Sequence, residues 1–319
     1  MNWHTTTLSD LETLQKCAMS NNFFANNYGA VNSVLYEKKF KSQIAIEKDW
    51  LFEKFFIDNR VCFAFPHSLS GEKQNLKAAV KLLDEDEKEF ILTNGSKFIF
   101  ENISSEEKDI LLELFPFAKV IATPESGDYI YRTENLSLLA GKKLSRKRNH
   151  IHQFQNKYSE LTYEALVKDN FSAAQEIEEK WFEENSAKDN SVSDMKEGNQ
   201  RFFDLQAEKE IIFNALENFE DFSRICGMTG GILFVSGKPV AFCIASLLSR
   251  NVTDIHFEKC ISPFARDGGY AVINNEFAKT VRTEFINREE DLGIEGLRKA
   301  KLSYYPERIL EKFLVEIEL

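Results

Sequence analysis

Apolar residues along this chain fall in short bursts, some spaced three to four residues apart and others alternating with polar ones. Leu11, Leu14, Cys17 and Ala18 recur at helical spacing behind Ser9 and Glu12, a capping-box pair. Phe-, Val- and Ile-rich runs at 31–36, 43–47, 50–57 and 61–66 follow, punctuated by Asn59, Ser68 and Gly71, and predict an antiparallel sheet. The pattern then predicts a helix over 73–83, a strand over 90–93 before an Asn94-Gly95 turn, and a capped helix over 105–115. Strands at 118–123 and 128–132 complete the first half.

A second unit is expected from Gly141, dividing the chain into 1–140 and 141–319 with a cleft between the halves. Its pattern reads as a helix over 144–158, a strand over 161–167 and an amphipathic helix over 173–185 with Ile177, Trp181 and Phe182 inward. The polar Ser/Asp/Asn cluster at 188–198 reads as a loop, and 200–218 as a long helix. Strands are expected at 223–228, 231–235, 240–248 and 253–259, the middle two joined by a turn at 236–239. Ile273, Phe277 and Val281 mark a helix behind Gly268-Gly269, before a strand at 285–287, a helix at 294–304 and a final strand at 313–319. Together these elements predict an α/β protein of the α+β, mixed-sheet kind.

Composition narrows the picture only in places. The 319 residues carry a formal charge of −11, which argues against a chain that coats nucleic acid or anionic membrane over a broad face. The 28 phenylalanines are scattered and read as core. Cys17, Cys62, Cys226, Cys243 and Cys260 lie far apart with no C-x-x-C, the usage of a reduced compartment, and no zinc framework is visible. The N-terminus has no basic and apolar leader pattern and no run approaches a membrane span, so a cytoplasmic protein is expected.

One segment reverses the overall charge. Between Asn135 and Ser159 no acid occurs, while Lys142, Lys143, Arg146, Lys147, Arg148 and Lys157 supply cations and Asn149 and His150 follow directly. Such a patch suits phosphates of coenzyme A, a tRNA acceptor end or a lipid head group, and a solvated helix face explains it equally well. His150 and His152 fall on different helix faces, so no two-His metal site is expected there, and no metal set is expected elsewhere. His256 and Glu258 alternate on a strand, which predicts one shared face and a pair able to take a proton or bind an amine. Glu289, Glu290 and Asp291 follow a strand end, where a cationic amine would be held. Arg298, Lys301 and Tyr305 form one stripe of the next helix, suited to phosphate or carboxylate.

The element order of the second half resembles the GNAT acyltransferase fold, with Arg266-Asp267-Gly268-Gly269 standing where that fold carries its pyrophosphate-binding turn, although the glycine spacing matches only partly. Two longer motifs, Asp128-Tyr-Ile-Tyr-Arg-Thr-Glu134 continuing to His150 and Asn287-Arg-Glu-Glu-Asp-Leu-Gly-Ile-Glu-Gly-Leu-Arg-Lys-Ala-Lys-Leu-Ser-Tyr-Tyr-Pro306, resemble the bacterial family grouped with the C-terminal domain of phosphatidylglycerol lysyltransferase. The resemblance implies two GNAT-like acyltransferase domains in tandem, the first degenerate, and a charged tRNA as aminoacyl donor with no permanently bound cofactor. It places Tyr131, Arg132 and Arg288 from these motifs on the substrate side, while the proton transfer and amine binding that such a reaction needs make His256, Glu258, Glu289 and Asp291 the catalytic candidates. The chain lacks the membrane-embedded portion of the lipid-modifying enzymes, so the acceptor is either a lipid head group or a small molecule. An acyl-CoA-dependent N-acyltransferase and a non-catalytic binding module are the competing readings.

Overall fold

The computed structural model describes the chain apart from residues 94–96, 190–194 and 319. Its strands are β1 His4–Thr5, β2 Gln43–Glu47, β3 Trp50–Ile57, β4 Arg60–Phe63, β5 His67–Ser68, β6 Phe98–Ile103, β7 Lys119–Ala122, β8 Asp128–Arg132, β9 Leu161–Ala165, β10 Thr229–Val235, β11 Lys238–Leu247, β12 Val252–Cys260, β13 Phe285–Asn287, β14 Arg308–Leu310 and β15 Phe313–Ile317. Its helices are α1 Leu11–Asn21, α2 Ala30–Leu35, α3 Glu37–Phe40, α4 Leu76–Thr93, α5 Ser105–Leu114, α6 Thr133–Leu138, α7 Ser145–Lys157, α8 Phe171–Asp189, α9 Met195–Glu217, α10 Phe219–Cys226, α11 Gly269–Ala278 and α12 Glu295–Leu302.

Two mixed sheets result. One runs β1-β2-β3-β4-β6-β15-β7, with β5 added on β3, and the other β14-β8-β13-β12-β11-β10-β9. The halves exchange strands: β8, from the first half of the chain, sits inside the second sheet, and the last strand, β15, lies between β6 and β7 of the first. Phe52, Phe63, Phe98 and Phe100 fill the first core, and Phe154, Phe222, Phe242 and Phe277 the second, while Phe90, Phe117, Phe202 and Phe203 are exposed. All five cysteines are free and buried. No helix among the described residues is long and apolar enough to cross a membrane.

Several local expectations change. Residues 31–35 are helical: the short α2 is buried on every side, its Asn32 and Ser33 included, so no solvent-facing stripe separates helix from strand. Residues 90–93 are the last turn of α4, and 223–226 end α10, stopped by Gly227 at φ 59°. The N-terminal capping box is Thr7 with Asp10, whose carboxylate accepts the Thr7 N–H at 2.8 Å. The expected loop at 188–198 contracts, since α8 reaches Asp189 and α9 begins at Met195; its centre, like the Asn94-Gly95 turn, lies outside the described residues. The β10–β11 hairpin turns on Ser236 and Gly237 alone, both at positive φ, which matches the twist of its strands.

Candidate functional site

The parallel pairing of β12 with β13 lasts only from Val252–Phe285 to Asp254–Asn287, yet β12 runs on to Cys260. Beyond the pairing, β12 and the segment after β13 frame a gap. Within it β12 is irregular: Ile255 lies opposite Ala245 and Phe257 opposite Ile244, so His256 is an extra residue on its strand. A bulge shifts the in–out alternation by one and re-aims the side chains beyond it. The expected His256–Glu258 pair is therefore not formed. His256 turns to Ser246, Asp254 and Glu289, whereas Glu258 turns to Arg288.

Glu258 and Arg288 form a half-used ion pair. Arg288 Nη2 donates to Glu258 Oε2 at 2.7 Å, but the Nε and Nη1 of this buried guanidinium have no hydrogen-bond partner, and neither has Glu258 Oε1. Aromatic walls enclose the pair, with the guanidinium carbon 5.7 Å from the Tyr131 ring centre and 4.9 Å from that of Tyr304. Burial works against the arginine's charge, but Glu258 and the two tyrosines hold its pKa above the ordinary value, so it stays cationic. Lys147, from α7, lies 3.7 Å over the Tyr304 ring. Burial, then the charges of Arg288 and Arg146, bring its pKa down to about 8. Buried N–H groups without partners are costly, and two of them on one guanidinium can meet an anionic or carbonyl oxygen.

On the other side of the bulge sits an acidic pocket. Ser246 Oγ is 2.7 Å from His256 Nε2, and His256 Nδ1 faces Glu289 Oε1 at 3.4 Å and Asp254 Oδ2 at 3.7 Å. Asn32 Nδ2 donates to Glu289 Oε1 at 3.1 Å. Asp254 is fully buried, and burial, then the charge of Glu289, pushes its pKa well above the usual carboxylate range. Glu290 is raised in the same direction, by burial and then by Glu289, and accepts from Asn26 Nδ2 at 2.9 Å.

Other predicted residues are committed to structure. Asp291 takes Arg298 Nε at 2.8 Å and Nη2 at 3.0 Å, Tyr129 Oη at 2.7 Å and the Gly293 N–H at 2.9 Å, so Asp291 is saturated and Arg298 is held on it by two of its donors. Lys301 Nζ donates to the backbone carbonyls of Arg288, Glu289 and Glu290, clamping the turn in which Glu289 adopts φ 54°. Tyr131 Oη donates to the Lys301 carbonyl at 2.8 Å, which leaves its ring as wall. Arg132 pairs with Glu284 and Glu307 at the surface, and Tyr305 is exposed beside Lys143. Sequence reasoning also missed a buried joint between the sheets: Lys312 Nζ reaches Asp128 Oδ1 at 2.7 Å and Asn26 Oδ1 at 2.6 Å, while Asn287 and the Asn26 N–H donate to Asp128 Oδ2.

On α7 and the turn leading into it, Lys142, Lys143, Arg146 and Asn149 are exposed, so the basic ridge is real. Arg148 departs from it and donates to the Leu139 and Gly141 carbonyls. The His150 pKa is lowered by burial and then by Lys147 and Arg146, which leaves it neutral at pH 7. The Arg266–Gly269 turn does not offer the expected open amide cradle. Gly268 N–H donates to the Ala265 carbonyl and Gly269 N–H to that of Phe264, while Asp267 adds a negative charge between Lys157 and Tyr158. Gly269 is required for packing, since a Cβ there would lie 2.5 Å from Cys260 Sγ, and Gly268 rests on the backbone of His150. Only Arg266 stays exposed.

Comparison with known proteins agrees with this architecture. A conserved protein of unknown function from Bacteroides thetaiotaomicron superposes with a TM-score of 0.86 at 31% identity over the whole of both chains. The C-terminal domain of a putative lysylphosphatidylglycerol synthetase from Agrobacterium fabrum does so with a TM-score of 0.65 at 12% identity, over 98% of this chain and 92% of that one, a likeness of fold. An uncharacterised protein of Mycoplasmoides gallisepticum is 24% identical over 194 residues, 60% of this chain, and the match spans 56% of the relative's own length. The two mixed sheets are thus the α/β fold shared with that synthetase domain. The family model described as phosphatidylglycerol lysyltransferase, C-terminal, matches residues 61–316, and this chain belongs to that family.

Proposed function

We propose that this chain transfers an aminoacyl group from charged tRNA to the amine or hydroxyl of a small molecule or lipid head group, with the reacting carbonyl in the pocket of Arg288, Glu258, Lys147, Tyr131 and Tyr304. The observation that carries the reading is the buried Arg288 with two unpartnered nitrogens beside a lysine of lowered pKa. In acyl transfer, the acceptor nitrogen or oxygen attacks the ester carbonyl, a C–N or C–O bond forms, and the carbonyl oxygen gains negative charge. The free N–H groups of Arg288 would meet that charge where water is excluded. Neutral Lys147 would accept the nucleophile's proton and return it to the ribose oxygen as the ester C–O bond breaks. Glu258 holds the guanidinium in place. The exposed ridge of Lys142, Lys143 and Arg146 would carry the backbone phosphates of the donor.

An acyl-CoA donor is the less favoured reading, because the N–H groups of Gly268 and Gly269 are spent within the turn. Thermal shift with charged tRNA, uncharged tRNA and acetyl-CoA separates the two. Stabilisation by charged tRNA is expected, and stabilisation by acetyl-CoA alone would overturn the donor assignment. Replacing Lys142, Lys143 and Arg146 together by Gln should weaken tRNA binding and lower the slope of log K against log salt by about 2–3. An unchanged slope would remove the ridge from the mechanism.

A further inference from the structure

The acidic pocket behind the bulge has a use separate from the transfer chemistry. Both Asp254 oxygens are buried and without a hydrogen-bond partner. The neighbouring cations are already engaged, Lys312 by Asp128 and Asn26, and Lys301 by three backbone carbonyls. Ser246 Oγ lies 2.7 Å from His256 Nε2, and with Ser246 as the acceptor there the Nδ1 lone pair would be available to an ion held between it and the two carboxylates. The ligand atoms of Asp254, His256 and Glu289 all lie within 4.8 Å of one another. The two distances from Nδ1, 3.4 and 3.7 Å, resemble the edge of a ligand tetrahedron, roughly 3.4 Å for bonds of about 2.1 Å.

We propose that Asp254, His256 and Glu289 bind one divalent transition-metal ion, with Zn²⁺ as the matching probe. One imidazole and two carboxylates form a donor set that zinc accepts and that magnesium, which favours all-oxygen shells, takes poorly. The enclosure favours a bare ion over an alkylammonium. The Asp254 and His256 side chains are each 1% exposed, and only Glu289, at 14%, borders an opening, which leaves a position for water. The ion would tie the free half of β12 to the turn after β13, and through the Asn32–Glu289 hydrogen bond to α2. The sequence hides the site because its ligands are split between one strand and a turn more than thirty residues later.

The test is metal content and stability, with no reference to transfer activity. Full-length protein is stripped with chelator, dialysed against ZnCl₂ or MgCl₂, and assayed for bound metal and melting temperature. One zinc per chain and a higher melting temperature are expected, with no response to magnesium. Glu289→Gln changes the most accessible ligand and is the variant least disruptive to folding; it should weaken zinc binding at least tenfold, and Asp254→Asn and His256→Gln should weaken it further. Co²⁺ in place of zinc should give the intense visible absorption of a tetrahedral site in the parent and lose it in Glu289→Gln. Failure of the parent to retain zinc, or equal retention by Glu289→Gln and Asp254→Asn, would overturn the proposal.

Discussion

Two acid–arginine pairs draw their arginines, Arg288 and Arg298, from the segment after β13, and they are used in opposite ways. Asp291 and Arg298 form a two-pronged pair whose acid is completed by Tyr129 and the Gly293 amide. Glu258 and Arg288 share one hydrogen bond and leave two guanidinium nitrogens and one carboxylate oxygen unpaired in a buried, aromatic setting. The first pair is closed and holds a turn. The second is open and awaits a partner. Charge density along the chain does not distinguish them; hydrogen-bond saturation does.

The largest effect is expected where a closed, buried pair is broken. Asp128→Asn leaves Lys312 without its counter-charge between the sheets and should cost about 3–5 kcal/mol in denaturant unfolding. A loss below about 1 kcal/mol would show that this joint is not a buried ion pair of ordinary weight.

The open pair should respond in activity instead. Arg288→Lys removes the planar donors and is expected to lower kcat about 10²–10³-fold with little change in melting temperature. Arg298→Lys should do the reverse, lowering the melting temperature while leaving kcat near its parent value. Equal effects in the two variants would erase the distinction between the pairs.

The finest test is the pH profile. Lys147 must be neutral to accept a proton, so the rate should rise with pH and level off above about 8. Arg288 contributes to that low pKa, so Arg288→Gln should move the rising limb to higher pH, and Lys147→Arg should abolish it. A limb that stays in place in Lys147→Arg would assign the titration to another group.

Legibility in the sequence followed the range of the interactions. β8 and β13 are found at the expected residues, and α7 and α11 close to them, because alternation, helical spacing and glycine turns are local signals. The short helix at 30–35 is buried on all sides and shows no solvent-facing stripe, whereas 219–226 has an exposed polar face at Glu220, Asp221, Ser223 and Arg224 and carries a helical period that the strand reading overlooks. The resemblance carried by the Asp128–His150 and Asn287–Pro306 motifs is matched by the family and by the paired mixed sheets. Asp254 was within reach: it alternates with His256, and only the bulge decided which neighbour the histidine would meet.

The sequence by itself determined most of the element types, the mixed-sheet class and the segment between Asn287 and Pro306 as a place where charge concentrates. Tertiary structure decided which of those charges remain available. It closed Asp291 on Arg298, Lys301 on three carbonyls and Asp128 on Lys312, and it left Arg288, Lys147 and Asp254 with unspent hydrogen-bonding or coordinating capacity. The physical reason is that a side chain's free valence depends on partners drawn from distant parts of the chain. Asn26, Asn32 and Lys312 are far in sequence from the residues they satisfy, and no local pattern encodes their arrival.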